Sequence, residues 1–405
     1  MKKTIAALLA LCLLLAGCAN ASTDLTKDIA PGTVPEADLS AQGPVITQLG
    51  LSLLQNSAEE GKNALISPLS VMMALSMAAN GADNETLSQM ETVLGGDIAT
   101  LNSYLKAYPQ DMGEQIHVAN SLWIKDIPSL TVRDSFLQTT ADYYGAGAFL
   151  APFDSSTVKD INGWVEENTG GQIKDMLDRI PPEAVMYLVN ALAFDAEWDD
   201  IYQSYEVSDS HFTTETGQER EVSMMYSKEH AFLETRDATG FIKYYEGGRF
   251  AFVALLPNEG TTVGTMLQNI DIQELRDTMT APRELTVHAA LPKFETEYDI
   301  RLEEILAQMG MSDAFDPGKA DFSRMASSGD GSPLYIGRVL HKTRISVAEE
   351  GTQAGAATMA EMALGAAAPG EEETRTVRLD RPFLYMVVDT ELWEPIFIGI
   401  LADPQ

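Results

Sequence analysis

Cysteine is almost absent from this chain of 405 residues. Its two cysteines, Cys12 and Cys18, both lie within the first 18 residues. If this N-terminal segment is processed, the rest of the chain has no cysteine pair that could form a disulfide. The fold must then be stabilised by its own hydrophobic core, which a chain of this length can bury without cross-links.

The first 17 residues have the pattern of a signal peptide. Lys2 and Lys3 precede an apolar run of about a dozen residues, which is too short to cross a bilayer. The run ends in LAGC (15–18), which is similar to the bacterial lipobox, where the cysteine receives a lipid and becomes the mature N-terminus. The sequence therefore predicts a lipid on Cys18 and an exported protein anchored at the outer face of a bacterial membrane. The alternative is an ordinary secretory signal in which Cys18 is incidental.

Residues 18–44 contain few large apolar side chains between the predicted lipid and the first helical pattern. Pro31, Pro35 and Pro44 are spread among Gly, Ser and Thr residues. This composition predicts a flexible tether. An N-terminal arm that packs on the fold is the alternative.

Basic residues are scarce as well. The chain has 27 Lys and Arg residues against 60 Asp and Glu residues, which gives a formal net charge of −33. Such a surface repels nucleic acid and anionic lipid headgroups. We therefore expect no nucleic-acid partner, and membrane attachment only through the lipid on Cys18.

Motifs for catalysis and metal binding are missing from the sequence. No two of the five histidines lie close enough in sequence to suggest a metal pair, and no cysteine is free to join them. The chain has no G-x-S-x-G nucleophile elbow and no phosphate-binding loop. We expect no enzyme activity, no metal and no cofactor.

Apolar segments recur from residue 45 to residue 405 without an internal linker or repeat, which predicts one large domain. A short strand and two helices are predicted within 64–96, a third helix over 158–171, and a fourth over 298–310 with Asp299 as its N-cap. Later apolar runs predict strands, at 185–194, 249–257, 284–294, 334–350, 383–389 and 395–401. Early helices followed by late strands favour an α+β fold over regular βαβ alternation.

Residues 348–376 consist mostly of small side chains, with nine alanines, four glycines and no aromatic residue. A flexible linker would explain this composition, and so would an amphipathic helix over 354–364, because Ala, Met, Glu and Leu favour helices. Residues 351–368 contain no proline, so no backbone donor would be missing if this segment formed a strand.

The sequence RVLHKTRISVAEEGTQAGAAT (338–358), with RPFLYMVVD (381–389) and PIFIGIL (395–401) after it, resembles the serpin family of protease inhibitors. Further similar segments are ISPLSVMMALSMAANGA (66–82) and INGWVEENTGGQI (161–173). The resemblance covers about residues 45–403. It implies an α+β serpin fold in a single domain over 45–405, with three β-sheets, about nine helices and an exposed reactive-centre loop near 349–376.

The resemblance implies an inhibitor that works by conformational trapping. A target protease cleaves the loop and becomes acylated to it, and the upstream part of the loop then inserts into the large sheet as a new strand. The implied hinge residues are Glu349, Glu350, Gly351, Thr352, Gln353, Ala354, Gly355, Ala356 and Ala357. Gly351 tolerates unusual backbone angles, Thr352 is β-branched, and the small residues that follow suit insertion. A non-inhibitory serpin that acts as a surface binding module is the alternative.

The resemblance also implies residues that control the opening of the sheet, which are Ser67, Ser70, Asn190, His341, Trp198 and Lys293. The two serines match a buried cluster with Asn190 and His341, which would hold the sheet shut by a breakable hydrogen-bond network. Trp198 matches an aromatic residue where the loop enters the sheet. Lys293 matches one half of a salt bridge to Glu349 beside the hinge.

The position of the reactive bond stays open at this point. Gly351 and Pro382 are 31 residues apart, several more than the resemblance leads us to expect. Family spacing places the residue before the cut near Gly365. The candidate residues are Met362, Ala363, Leu364, Gly365, Ala366 and Ala367. Residues 351–374 contain no Arg or Lys, so an elastase-, subtilisin- or chymotrypsin-like target is favoured over a trypsin-like one. We expect a monomer whose partner is a serine or cysteine protease in a covalent complex.

Overall fold

The computed structural model describes residues 21–34, 45–108, 115–331, 333–352 and 373–404. The predicted lipidation site Cys18, the hinge residues 353–357 and the reactive-bond region 362–367 lie outside these described residues.

The described residues form nine α-helices and nineteen strands. The helices are α1 (Val45–Ser57), α2 (Pro68–Ala79), α3 (Asn84–Leu94), α4 (Ile98–Ala107), α5 (Asp134–Tyr143), α6 (Ser155–Asn168), α7 (Val263–Asn269), α8 (Ile272–Thr280) and α9 (Glu303–Gln308). None of these helices is long and apolar enough to cross a membrane.

The strands are β1 (Thr23–Asp24), β2 (Ala64–Ile66), β3 (Ile116–Lys125), β4 (Leu130–Val132), β5 (Gly147–Ala151), β6 (Met186–Phe194), β7 (Ala196–Glu197), β8 (Val207–Thr213), β9 (Glu219–Glu234), β10 (Ala238–Tyr244), β11 (Phe250–Pro257), β12 (Arg283–Pro292), β13 (Phe294–Arg301), β14 (Ala326–Ser328), β15 (Arg338–Val347), β16 (Gly351–Thr352), β17 (Thr374–Arg378), β18 (Phe383–Asp389) and β19 (Glu394–Leu401).

Three sheets organise the described strands. The first sheet has the order β1-β5-β3-β6-β15-β16-β7, and β13 also pairs with β15. The second sheet has the order β17-β12-β9-β10-β11-β18-β19-β2, and β8 also pairs with β9. Strands β14 and β4 form a small third sheet. Helices, two large sheets and a small one in one body agree with the predicted α+β class.

The first sheet is buried on both faces at its centre. The main hydrophobic core packs against one face and includes α1, α2 and the second sheet. A second apolar cluster lies on the opposite face, where Ile161 and Val165 of α6 pack over Trp123 and Val189. All nine residues of β6 are buried, as its continuous apolar run predicted.

The predicted helix over 298–310 is wrong in its first half. Residues 298–301 belong to β13, and the helix α9 covers only Glu303–Gln308 after Leu302, so Asp299 is not an N-cap. The polar and apolar residues of β13 alternate from Phe294 onward, which is the period of a strand with one buried face. The apolar positions 300, 302, 305, 306 and 309 also fit a helix, and this overlap produced the error.

The predicted flexible tether over 18–44 is wrong for the described N-terminal segment, residues 21–34, which we call the arm. Strand β1 of the arm pairs antiparallel with the edge strand β5, with Thr23 opposite Leu150. Ser22 donates two hydrogen bonds to Asp160 of α6, from its backbone N at 3.0 Å and its Oγ at 2.6 Å. The arm therefore packs on the fold, which was the alternative interpretation of this segment.

Candidate functional site

Strands β6 and β15 are parallel neighbours at the centre of the first sheet, and we call their boundary the seam. They pair from Tyr187 opposite Arg338 to Leu192 opposite Thr343. Beyond this ladder, the two residues of β16 lie between β15 and β7 and pair antiparallel with both. The seam between β6 and β15 is thus closed along the ladder. Just beyond the ladder, Gly351 and Thr352 of the hinge separate β15 from β7.

Gly351 occupies its strand position because no side chain fits there. A Cβ at this residue would lie 2.1 Å from the carbonyl oxygen of Ala196 and 2.7 Å from the Cα of Glu197. Its backbone is not among those of the described glycines with positive φ. The sequence suggested glycine for its conformational freedom, whereas the structure requires it for a close approach of two backbones.

Thr352 is the first hinge side chain inside the sheet, and only 1 % of its surface is exposed. Its Oγ1 lies 2.6 Å from the hydroxyl oxygen of Tyr245, which is also buried. The Tyr245 ring stacks on Trp198 with 4.3 Å between ring centroids and 14° between planes. The indole Nε1 of Trp198 donates to the carbonyl oxygen of Ala348 at 2.8 Å. The stacked rings of Trp198 and Tyr245 therefore contact the hinge region at Ala348 and Thr352.

Residues before Gly351 are held by backbone and ionic contacts. The backbone N–H of Trp198 donates to Glu350 O at 2.8 Å, and that of Tyr202 donates to Glu349 O at 2.9 Å. Lys293 Nζ lies 2.8 Å from Glu349 Oε2, which is the ion pair that the family resemblance implied. Both side chains of this pair are partly exposed, so it contributes less than about 1 kcal/mol to stability.

Five buried polar residues lie at the seam, and we call them the seam cluster. They are Ser67, Ser70, Asn120, Asn190 and His341, and all are at least 95 % buried. Asn190 and His341 are register partners across the seam, and His341 Nδ1 lies 2.5 Å from Asn190 Oδ1. Separating β6 from β15 must therefore break this bond.

The hydrogen bonds of the seam cluster fix the protonation of His341. The backbone N–H of Ser67 donates to His341 Nε2 at 3.1 Å, so Nδ1 carries the proton and donates to Asn190. Ser70 Oγ also donates to Asn190 Oδ1, at 2.9 Å. Burial lowers the pKa of His341 from 6.5 to about 3, which keeps the ring neutral.

Sequence reasoning missed three residues of the site, which are Asn120, Tyr202 and Tyr245. Asn120 lies opposite Asn190 on β3 and accepts a hydrogen bond from Asn190 Nδ2 at 2.6 Å. A lone asparagine in the apolar run of β3 is a signal that the sequence contains. The two tyrosines have no such signal, since their contacts with the hinge depend on the three-dimensional fold.

Comparison with known proteins assigns the family. The family model described as Serpin (serine protease inhibitor) matches residues 44–404. This chain belongs to the serpin family. The predicted serpin fold is therefore confirmed, and the matched family is one of inhibitors rather than enzymes.

Individual serpins match over most of the chain. A serpin-like protein of Thermococcus kodakarensis is 30 % identical, with 89 % of this chain and 85 % of that protein covered. The leukocyte elastase inhibitor of Bos taurus is 31 % identical, with 84 % and 93 % covered. The crystal structure of the thermophilic serpin tengpin in its native state has 42 % identity and a TM-score of 0.89, and the match covers 94 % of this chain and 99 % of that one. The latent state of tengpin gives a TM-score of 0.78.

The thermal stability of this serpin should depend on pH through His341. The unfolded chain takes up the imidazole proton near pH 6.5, whereas the folded chain takes it up only near pH 3. The contribution of His341 to the free energy of unfolding is therefore complete above pH 6.5 and is lost as the pH falls toward 3. Burial has the opposite effect at Glu394, where it raises the pKa to about 7, so that carboxyl favours the folded state less as the pH rises from 4.5 through 7.

A His341→Gln variant separates the pH effect of His341 from that of Glu394, because the parent and the variant both keep Glu394. We expect a lower thermal midpoint for the variant at pH 7.5, and a difference from the parent that shrinks steadily between pH 6.5 and pH 4.5. Melts at one scan rate and several pH values give this difference. A difference that stays constant over this range would show that His341 is not the neutral, buried group described here.

Proposed function

We propose that this serpin is a suicide inhibitor of serine endopeptidases that traps the acyl-enzyme by inserting its cleaved loop into the seam. The proposal rests on β16, because Gly351 and Thr352 already lie as a strand between β15 and β7. Continued insertion would place each following residue between β15 and β6. The parallel ladder of the seam would then be replaced by two antiparallel ones, which are slightly more stable per residue.

The length of the loop is sufficient for this movement. About fourteen residues lie between Gly351 and the expected cut near Gly365, and at roughly 3.3 Å per residue they span about 46 Å as a strand. The ten residues of β15 extend over about 33 Å on the same scale. A cleaved loop could therefore run along the whole seam.

The target class follows from the composition around the expected cut. Residues 351–374 lack Arg and Lys, which disfavours trypsin-like proteases. Leu364 or Met362 would fill an apolar specificity pocket, and Ala366 or Ala367 a small one. The related bovine protein is named for inhibiting an elastase. We therefore favour elastase-, subtilisin- or chymotrypsin-like serine proteases, and we extend the proposal to cysteine proteases.

Incubation with an elastase-type protease tests the mechanism. We expect a covalent complex that survives denaturing electrophoresis, and a released C-terminal peptide whose mass identifies the scissile bond among residues 362–367. Trypsin serves as the matched control and should form much less complex. Complete cleavage by the elastase without any covalent complex would exclude trapping and favour a non-inhibitory serpin.

We also propose that the protein is exported and anchored by a lipid on Cys18. The support is the LAGC pattern after a short apolar run. A Cys18→Ser variant should remain soluble or unprocessed and should not incorporate labelled fatty acid, whereas the parent should be labelled and fractionate with membranes. Labelling that persists in the variant would contradict the lipobox interpretation.

A further inference from the structure

The arm is fixed to the body of the serpin by its backbone. Leu25 N donates to Ala148 O at 2.8 Å, directly after the two antiparallel pairs between β1 and β5. Further along the arm, Gln138 Nε2 of α5 donates to Ala30 O at 3.1 Å, and Gly32 N donates to Asp142 Oδ1 at 2.6 Å. Leu25 and Ile29 also pack against the main core. These contacts hold the arm along the edge of the first sheet.

The first fixed point of the arm lies very near the predicted lipid. Ser22, bonded to Asp160 of α6, is only four residues after Cys18. Four residues reach at most about 14 Å. A free tether over residues 18–44 would instead have a root-mean-square reach of about 30 Å and could extend to about 90 Å.

The surface beside Ser22 has groups that suit contact with a lipid surface. A cavity of about 660 Å³ between the arm and α6 is lined by the buried Trp123 and Phe149 and by the half-buried Trp164, with the exposed Lys27 and Lys159 beside them. Trp164 and the two lysines are accessible, and tryptophan and lysine are side chains that favour the headgroup region of a bilayer. Neither lysine forms an ion pair with another described residue, so both ammonium groups can face lipid phosphates.

The same cavity also contains three carboxylates, Asp24, Asp160 and Glu167. Two of them are occupied within the protein, since Asp24 accepts from Thr26 at 2.8 Å and Asp160 accepts from Ser22. Hydrogen bonds from neutral donors leave these carboxylates charged, so the three carboxylates and the two ammonium groups give the lining a net charge of −1. The short distance to the proposed lipid, and not charge attraction, is therefore what would keep this face near the bilayer.

We infer that the arm is a short leash that holds the α6 face of the serpin against the bilayer. This inference rests on the proposed lipid at Cys18. It adds that the body has a defined orientation on the membrane and does not move freely at the end of a long tether. The partner of this face is the lipid surface itself.

Site-specific quenching tests the orientation in the lipidated protein. A cysteine introduced as Gly163→Cys lies at an exposed position of α6, where an added Cβ would have no other atom within 4 Å. Gln273→Cys on α8, which packs on the second sheet, is the matched control position. Each variant carries one fluorophore and is reconstituted in vesicles of phosphatidylcholine with a minor fraction of phosphatidylglycerol and a lipid with a nitroxide headgroup.

We expect quenching at position 163 to exceed quenching at position 273 several-fold. Releasing the arm with Leu25→Pro and Asp160→Ala should bring both positions to a similar, low level, while circular dichroism shows that the fold is retained. Labelled fatty acid reports separately on the anchor. Equal quenching at both positions in a lipidated parent would overturn the leash and leave the anchor intact, whereas a lack of lipid would overturn the anchor and the leash together.

Discussion

Replacing Thr352 with arginine is expected to convert this serpin from an inhibitor into a substrate. Thr352 is buried between β15 and β7, with its hydroxyl 2.6 Å from that of Tyr245. A guanidinium at this position would have to enter a buried site next to the stacked rings of Tyr245 and Trp198, where the Tyr245 hydroxyl is the partner that Thr352 uses. Burying an unpaired charge costs several kcal/mol, so we expect roughly a tenfold or larger rise in the number of inhibitor molecules cleaved per protease trapped.

The matched control for this variant is Thr352→Val. Valine keeps the β-branched shape and removes only the hydroxyl, so it should still insert and trap the protease at a stoichiometry near that of the parent. Titration of a fixed amount of elastase-type protease, with denaturing electrophoresis of the products, compares the three proteins. Covalent complex at the parent stoichiometry with the arginine variant would show that residue 352 does not have to be in the sheet during inhibition.

Cleaving the reactive-centre loop should raise the thermal midpoint sharply. In the intact chain, Thr352 and Thr374 belong to different sheets and are joined by the loop, so continued insertion from β16 is restrained at both ends. A cut between Met362 and Ala368 removes this restraint and allows the upstream segment to pair with both β15 and β6. We expect a rise of more than about 10 °C, which for a chain of this size corresponds to several kcal/mol.

Thermal melts of the intact and nicked proteins, with both fragments confirmed to remain associated, measure this rise. The intact protein should also show a midpoint that depends on scan rate, as expected for a kinetically trapped state. Nicked Thr352→Arg is the control and should gain much less than the nicked parent. Equal midpoints for the intact and nicked parent would remove the argument for metastability and favour a non-inhibitory serpin.

Features with a strong local pattern could be predicted from the sequence. The apolar run over 185–194 predicted the strand β6, and the helices α2 and α3 form within the segment 64–96 where two helices were predicted. The residues of the seam cluster, except Asn120, came from the resemblance to serpins. The resemblance implied hydrogen bonds among them, but which atoms donate and which accept could not be predicted, because this depends on the register between β6 and β15.

Other features depend on contacts that are distant in the sequence. Strands β1 and β16 each have two residues, which is too short to produce a period of alternating side chains. The arm therefore had the composition of a tether, and only its pairing with β5 shows that it is packed. The position of Gly351 and Thr352 in the sheet likewise depends on the three-dimensional fold, because these residues lie between β15 and β7. In β13, two periodicities overlapped, and tertiary pairing with β15 determined which one formed.

A reversible cross-link across the seam tests insertion most directly. Ala191 of β6 and Lys342 of β15 are register partners, and neighbouring strands lie about 4.8 Å apart, within the range that a disulfide can bridge. With Cys18 carrying lipid and residues 1–17 removed, Ala191→Cys and Lys342→Cys would supply the two free thiols of the mature chain. The single variant Lys342→Cys controls for the loss of the ion pair between Lys342 and Glu297.

The decisive measurement is the yield of covalent protease complex from the oxidised and reduced double variant. If the cleaved loop must enter between β6 and β15, the oxidised protein should be cleaved without trapping the protease, and reduction should restore trapping to the level of the single variant. Equal yields of complex from the oxidised and reduced forms, with the disulfide confirmed by mass, would contradict insertion at the seam.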